Sequence, residues 1–365
     1  MCRRRITSIS LELSLLLLLL GASCERREAS QGAGSRGELS DTRAVSALQS
    51  AEWGRATALA WRSGELWTGH EGGWLARWSA QEGGQTYRLS AHWLAHEGAL
   101  RSLELSEGGG LMSLGGDGSW ARWDAEGRAL SRGRAPELRA NAARALPDGS
   151  WLIASDRGVI SRVKGGARLW RTAGEHRRAA FALALDGEEL LSVGSDGWLR
   201  RWRARDGAAL GGRAAHQGWA TALLKMSPAQ ADRPPSWVTG GADGYVRLWP
   251  HAVASAPVEA PPVEGLRGHS AELTRLAGDW PWVVSGGEDG QLSFYELKGE
   301  GDALRLKLSH QLQAFEGPVM SLVMSGGCVI AGGGQRATEL KSLCYEAGAW
   351  RTRMIKLLER GAEER

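Results

Sequence analysis

Hydrophobic positions along this chain follow two regimes. Leu13 to Ser23, LSLLLLLLGAS, is one apolar run behind the basic stretch MCRRR, whereas from about Arg43 onward apolar residues come in short runs of mixed apolar and small character, separated by glycine-rich turns. Runs of that kind predict antiparallel strands. They also recur. TGHEGGWLARW ends at Trp78, SLGGDGSWARW at Trp123, IASDRGVISRV at Val163, SVGSDGWLRRW at Trp202, TGGADGYVRLW at Trp249 and SGGEDGQLSFY at Tyr295, and a degenerate copy, VIAGGGQRATELKSLCY, closes at Tyr345. Successive ends are 45, 40, 39, 47, 46 and 50 residues apart, close to the period of a four-stranded propeller blade. Seven ends predict an all-β chain folded as a seven-bladed β-propeller of four-stranded antiparallel blades. The repeats do not say which terminus supplies the closing strand.

The repeated segment has a physical logic of its own. Asp-Gly is a preferred hairpin turn because Gly, and to a lesser degree Asp, tolerates positive φ. A Trp five residues after that Gly closes the second strand, offering a large ring to the space between neighbouring units and an N–H that requires a partner. A lone four-stranded sheet has two faces to cover, and radial stacking covers both.

These marks, with a His near the start of several units (AHEGALRSL at His96, EHRRAAFAL at His176, AHQGWATAL at His216, GHSAELTRL at His269), resemble the WD-repeat family of β-propellers from about Arg43 to Leu358. The second letter of the family's name, Asp, follows the Trp only at Asp124, with Ser79, Arg203 and Pro250 elsewhere, and the third unit has neither His nor Trp. Arg77, Arg122 and Arg201 sit just before the closing Trp, where their stems can cover apolar surface. The resemblance implies a hydrogen-bonded chain from Asp to His to Ser/Thr to indole N–H within a blade. Its members here would be His96, Ser113, Asp117 and Trp123; His176, Ser192, Asp196 and Trp202; His216, Thr239, Asp243 and Trp249; and His269, Ser285 and Asp289 with Tyr295 in the last place. Ser, His and Asp together could also be read as a hydrolytic triad. A catalytic set occurs once, however, whereas these occur blade after blade, which favours a structural network.

Other chemistry is thin. The sequence holds no CxxC, no HExxH and no Walker loop, and GGGQR at Gly332 to Arg336 lacks the Lys-Ser/Thr of a phosphate loop. No catalytic residue, metal or cofactor is expected. There are 18 Trp against 3 Phe and 4 Tyr, and the 45 basic residues are nearly all Arg, scattered rather than clustered, with a formal charge of +4. That distribution argues against a nucleic-acid partner. Of four cysteines, Cys2 and Cys24 belong to the leader. A register that sets Cys328 across from Tyr345 points Cys344 to the opposite sheet face, which favours two small buried residues but leaves a disulfide open.

The N-terminus reads as an export signal. The apolar run is shorter than the roughly 20 residues of a membrane span, and Glu25, Arg26 and Arg27 end it. LGASC resembles the box of a bacterial lipoprotein signal, on Ala22, Ser23 and Cys24, and this implies acylation of Cys24. Glu25, in place of the Asp associated with inner-membrane retention, implies an outer-membrane anchor facing the periplasm. The expected organisation is a signal peptide over 1–23, a lipidated Cys with a Gly/Ser-rich tether over 24–42, the propeller over 43–358 and a tail over 359–365.

Fold and missing chemistry together suggest a monomeric, non-enzymatic protein-binding or scaffold propeller held to a membrane by its lipid. The alternatives are a propeller enzyme or quinone-cofactor propeller, and an outer-membrane assembly factor resembling eight-bladed lipoprotein propellers. His70, Trp74, Trp93, Trp198, Trp219 and Tyr245 fall in or beside the Asp-Gly turns and the His-bearing connections, where a partner would dock. Trp74, Trp198 and Tyr245, four residues before a closing Trp, share its strand face and could pack a blade instead. Trp93 and Trp219, expected in the connections, have the better claim to exposure.

Overall fold

The computed structural model describes residues 53–358 apart from 63, 82–85, 106–109, 125, 135–138, 173–175, 229–233, 250–264, 301–302 and 335–338. The leader, Cys24 and the tail lie outside the described residues. The chain divides at Arg43/Ala44, and the second unit, Ala44–Arg365, holds the propeller.

Seven blades follow one another in sequence, each an antiparallel sheet whose four strands pair in chain order. Their innermost strands are Ala56–Arg62, Leu100–Leu105, Ala140–Ala145, Ala180–Asp186, Ala220–Met226, Leu273–Asp279 and Val319–Ser325, for blades one to seven. Each packs on the next, and the seventh packs on the first, which closes the ring. A final short strand, Lys356–Leu358, lies parallel to Thr86–Leu94 on the outer edge of blade one. The C-terminus therefore supplies the clasp.

Burial explains the ring. Seven apolar clusters lie between adjacent blades, one per junction. Each takes the closing residue of one blade and sets it against the blade before it. Trp123 packs with Trp67 and Leu75 of blade one, Trp202 with Leu152 and Ile160 of blade three, Trp249 with Leu191 and Val193 of blade four, and Trp78 with Ile330 and Leu340 of blade seven. Glycines permit the close approach: a Cβ at Gly240 would lie 2.3 Å from Leu273 Cδ2 of the following blade.

The last blade departs from the sequence reading. Leu343, not Tyr345, pairs with Val329 at the closing position and enters the junction between blades six and seven. Blade seven's hairpin is two residues longer than blade four's, with seven residues (333–339) between the pair Gly332↔Leu340 against five (194–198) between Val193↔Leu199. Cys328 consequently faces Cys344 directly, not Tyr345, and the two form a disulfide with a Cα–Cα distance of 4.0 Å. The expectation of two unbonded cysteines is corrected by this one-residue change of register.

Because the clasp joins the last strand to the first blade, it should matter out of proportion to its three residues. Leu357, partly buried against the cluster at the junction of blades seven and one, is the residue to test. Leu357→Asp should lower stability by about 2 kcal/mol and speed amide exchange at Tyr87 and Arg88, as followed by denaturant melts and exchange mass spectrometry. Unchanged exchange there would remove the clasp from the account of closure.

Candidate functional site

Blades four and five carry the network in full. His176 lies with Nδ1 2.8 Å from Asp196 Oδ1 and Nε2 2.8 Å from Ser192 Oγ, to which Trp202 Nε1–H donates at 2.8 Å. In blade five the distances are 2.9 Å for His216 to Asp243, 2.8 Å for His216 to Thr239 and 2.8 Å for Trp249 to Thr239. In blade four the tautomer follows from the donors, whereas in blade five Arg247 Nη1 also lies 2.5 Å from His216 Nδ1. The indole has only a proton to give, so the hydroxyl accepts it and gives its own proton to His Nε2, and Nδ1–H then donates to the carboxylate. Ser192 and Thr239 are 0% exposed, so their oxygens are out of reach of a substrate carbonyl.

The other blades vary the theme. In blade two His96 does not touch Asp117: its Nδ1–H donates to Ser119 Oγ at 2.5 Å, and Ser119 passes the bond to Asp117 Oδ1 at 2.7 Å. His96 to Ser113 and Trp123 to Ser113 are 2.8 Å each. In blade six His269 lies 3.0 Å from Asp289 and 2.7 Å from Ser285, with Tyr295 Oη 3.4 Å from Ser285 Oγ. Blade one contains a set that the sequence pattern hid. Trp78 donates to Thr68 Oγ1 at 3.0 Å, Thr68 bonds His70 Nε2 at 2.8 Å, and His70 Nδ1 reaches the Gly54 carbonyl at 3.0 Å. Blades three and seven replace the hydroxyl and the closing ring together, with Ile153 and Val163, and Ala331 and Leu343. Exchanging both partners for apolar groups leaves neither of the two positions with an unmet hydrogen bond.

Two arginines complete the network, and the spacing of Arg four residues after Asp was their signal. Arg200 donates to Asp196 Oδ2 at 2.6 Å and Arg247 to Asp243 Oδ2 at 2.8 Å. Each guanidinium lies over a ring, Arg200 5.0 Å from the centroid of Trp198 and Arg247 4.9 Å from that of Tyr245. Trp198 and Tyr245 are thus half-buried platforms beneath these arginines. Just ahead of two of the closing Trp residues, Arg77 and Arg201 pair with Glu65 and Glu189.

Burial sets the protonation states. It pushes His70 and His96 down to about 4 and lowers His216 and His269 as well, so these imidazoles stay neutral. Burial alone would raise Asp196 and Asp243, but hydrogen bonds from His176 and Arg200, and from His216 and Arg247, hold both carboxyls far below the usual range.

The Asp-Gly turns and the connections share one end of the ring, here termed the turn face. Gly197 shows why the turn needs glycine: its φ is +74°, its carbonyl accepts the N–H of Ala215 and of His216, and a Cβ would lie 2.4 Å from Gly218 O. At this end every innermost strand carries a bulge at its second residue, giving a ring of Thr57, Arg101, Asn141, Phe181, Thr221, Thr274 and Met320 around the channel mouth. The short polar members are spent on the next blade, as in Thr57 to Leu100 O at 2.7 Å, Asn141 to Ala180 O at 3.0 Å and Thr274 to Val319 O at 2.6 Å. Phe181 instead meets Trp219, with ring centroids 5.6 Å apart.

The candidate docking residues separate accordingly. Trp219 lies in its connection and is 47% exposed. Trp93 does not lie in a connection: it belongs to the strand Thr86–Leu94 and packs 6.0 Å from Trp67 and 5.1 Å from Trp123, filling the junction of blades one and two. His70 is buried in its network, so it too is corrected from a docking residue to a framework residue. Trp74 stacks on Trp53 at 5.9 Å. Among the described residues, what the turn face offers at the mouth is therefore exposed Trp219 resting on half-buried Phe181.

No family model and no curated protein matches the sequence. Among solved structures the chain is similar to the computationally designed Ika8 protein, with 19% identity, a TM-score of 0.58, and coverage of 80% of this chain and 96% of that one. The likeness shows the propeller fold.

Two outcomes test this chemistry. Asp196→Ala strands the Nδ1–H of His176 and should cost about 1–3 kcal/mol in denaturant melts, whereas Trp219→Ala should change stability by less than about 0.5 kcal/mol, as at an ordinary surface site. Equal losses would refute the division between framework and surface. Stability should also depend on pH in a set direction. His70 and His96 titrate near 4 in the fold against an ordinary 6.5, so the unfolded chain takes up protons first and stability falls as pH drops from about 6.5 to about 4. Below about pH 4 the depressed Asp196 and Asp243 extend the loss. Urea midpoints that stay level from pH 7.5 to 4.5 would contradict this.

Proposed function

We propose that this chain is a non-enzymatic protein-binding propeller of WD-repeat type, docking its partner on the turn face around the channel mouth. The observation that carries the reading is Trp219, exposed in a rigid connection and resting on Phe181 beside the channel. An exposed Trp fixed by a second ring loses little entropy on binding, and Trp is the residue type that most often contributes about 2 kcal/mol or more at an interface centre. The His–Asp networks beneath hold the surrounding connections in place, so the surface is formed before a partner arrives. Their recurrence supports the WD-repeat reading. The leader supports a second part of the proposal, that Cys24 is acylated and the propeller is displayed on the periplasmic side of an outer membrane.

Both parts can be tested in cells. A photo-crosslinking amino acid at position 219 should give discrete adducts to protein, and one at Leu169, which is 53% exposed on the outer strand of blade three, should not. Equal adducts from both positions would overturn the assignment of the turn face. Cys24→Ser should abolish incorporation of a palmitate analogue, and equal labelling of parent and variant would remove the anchor.

A further inference from the structure

The arginines that lie scattered along the sequence are sorted by the fold. Among the described residues, the outermost strands of the seven blades hold ten arginines and one lysine and not one Asp or Glu, although the whole chain has 45 basic and 41 acidic residues. Charge on a sheet edge guards it against pairing with another chain, but either sign would serve. A belt of one sign around the circumference needs a further reason.

Within the belt, blades two, three and four share an apolar feature. Their outer strands, Ala129–Arg134, Ala167–Arg171 and Ala209–Ala214, each carry a bulge opposite the last residues of the third strand, and the extra residue is Leu130, Leu169 and Leu210 in turn. These leucines are 60%, 53% and 40% exposed. At the same bulge blade one has Ser90 and blade six has Ser309. A single exposed leucine is ordinary, whereas three at one structural position in consecutive blades form a row.

Exposed cations flank the row. Arg128 and Arg132 stand beside Leu130, Arg168 and Arg171 beside Leu169, and Arg205 in the turn before Leu210. The carboxylates described in the turns leading into these strands are Asp124, Glu126 and Asp206. Asp206 accepts from Arg203 at 3.0 Å, and Asp124 accepts the backbone N–H of Arg128 at 2.7 Å. Nucleic acid would select the cations but not the leucines. The interface of a bilayer takes both, because an aliphatic side chain enters the boundary between headgroups and acyl chains while a guanidinium binds phosphate and lays its stem along apolar surface. The bulges also discourage an added β-strand, and a belt that continues around the circumference in one sign suits an extended surface better than one docked segment.

We propose that the circumference of the propeller across blades two to four is a lipid-contact surface, on which Leu130, Leu169 and Leu210 enter the headgroup region of an anionic bilayer and the arginines beside them bind its phosphates. The third strands run from the Asp-Gly turns, so the row opposite their last residues lies away from the turn face and leaves the channel mouth open. The inference rests neither on acylation of Cys24 nor on docking at Trp219, and either of those can fail without it.

The test places p-benzoylphenylalanine at position 130, 169, 210 or 309 of the full chain. Each protein is irradiated with vesicles of phosphatidylglycerol and phosphatidylcholine in equal parts, or of phosphatidylcholine alone, and intact-mass spectrometry reads the lipid adducts. Positions 130, 169 and 210 should give adducts on the anionic vesicles, several-fold more than on the neutral ones and several-fold more than position 309 gives on either. Any membrane contact of the leader is common to all four proteins, so the comparison reads the propeller. Arg132→Gln combined with Arg171→Gln should lower the yield at position 169 several-fold with Tm unchanged, and Arg132→Lys combined with Arg171→Lys should not. Absence of adducts, equal yields at positions 169 and 309, equal yields on the two kinds of vesicle, or a yield indifferent to the Gln pair would each overturn the proposal. Adducts between two copies of the chain would make the row a dimer surface, and loss of the lipid adducts to a stoichiometric DNA duplex would make the belt a nucleic-acid surface. Either result also overturns the lipid assignment.

Discussion

Everything in this molecule depends on a sheet that is apolar on both faces. A four-stranded blade cannot cover itself, and the chain meets the requirement by setting each blade between two others, so that seven junctions bury seven apolar clusters. The requirement has no open-ended solution, because the first and last blades would each expose a face. Closure is therefore obligatory, and it is made by Ser321 donating to Ala56 O at 2.8 Å, by side-chain packing and by the strand Lys356–Leu358 on the outer edge of blade one.

Packing positions the blades, and the buried networks position the face that serves function. In blades four, five and six the His ties a connection to the Asp of its own blade's turn, and the hydroxyl ties that His to the ring in the junction. A buried polar chain of this kind is favourable only when complete. The chain either completes it, as in blades four and five, or removes both the hydroxyl and the closing ring, as in blades three and seven. Blade two finds a third solution by inserting Ser119, which stands where blades four and five have Trp198 and Tyr245. The result is a framed rim that carries Trp219 on Phe181.

The sequence made the fold legible through one periodic signal, the Asp-Gly turn with an aromatic ring five residues on. It failed where that signal degenerates. In blade seven a longer hairpin replaces the Asp-Gly turn, so the closing position was set at Tyr345 instead of Leu343, and the same misreading hid the pairing of Cys328 with Cys344. His70 escaped because its hydroxyl partner, Thr68, lies two residues away on the same strand, whereas the pattern sought a His in the preceding connection. Trp93 was misplaced because strand ends follow hydrogen bonding, and the fourth strand of blade one runs on through it to Leu94. The bond from Ser321 to Ala56 O lay beyond sequence reasoning, since the residues are far apart in the chain and meet only because the ring closes.

The central claim is that indole groups divide into a buried framework and one exposed contact. The exchange of indole N–H protons, resolved in a 15N–1H spectrum of the native protein, measures this directly. The account predicts slow exchange at Trp78, Trp123, Trp202 and Trp249, whose N–H groups are bonded to Thr68, Ser113, Ser192 and Thr239, and rapid exchange at Trp219. Rapid exchange at the four, with Trp219 protected, would contradict it.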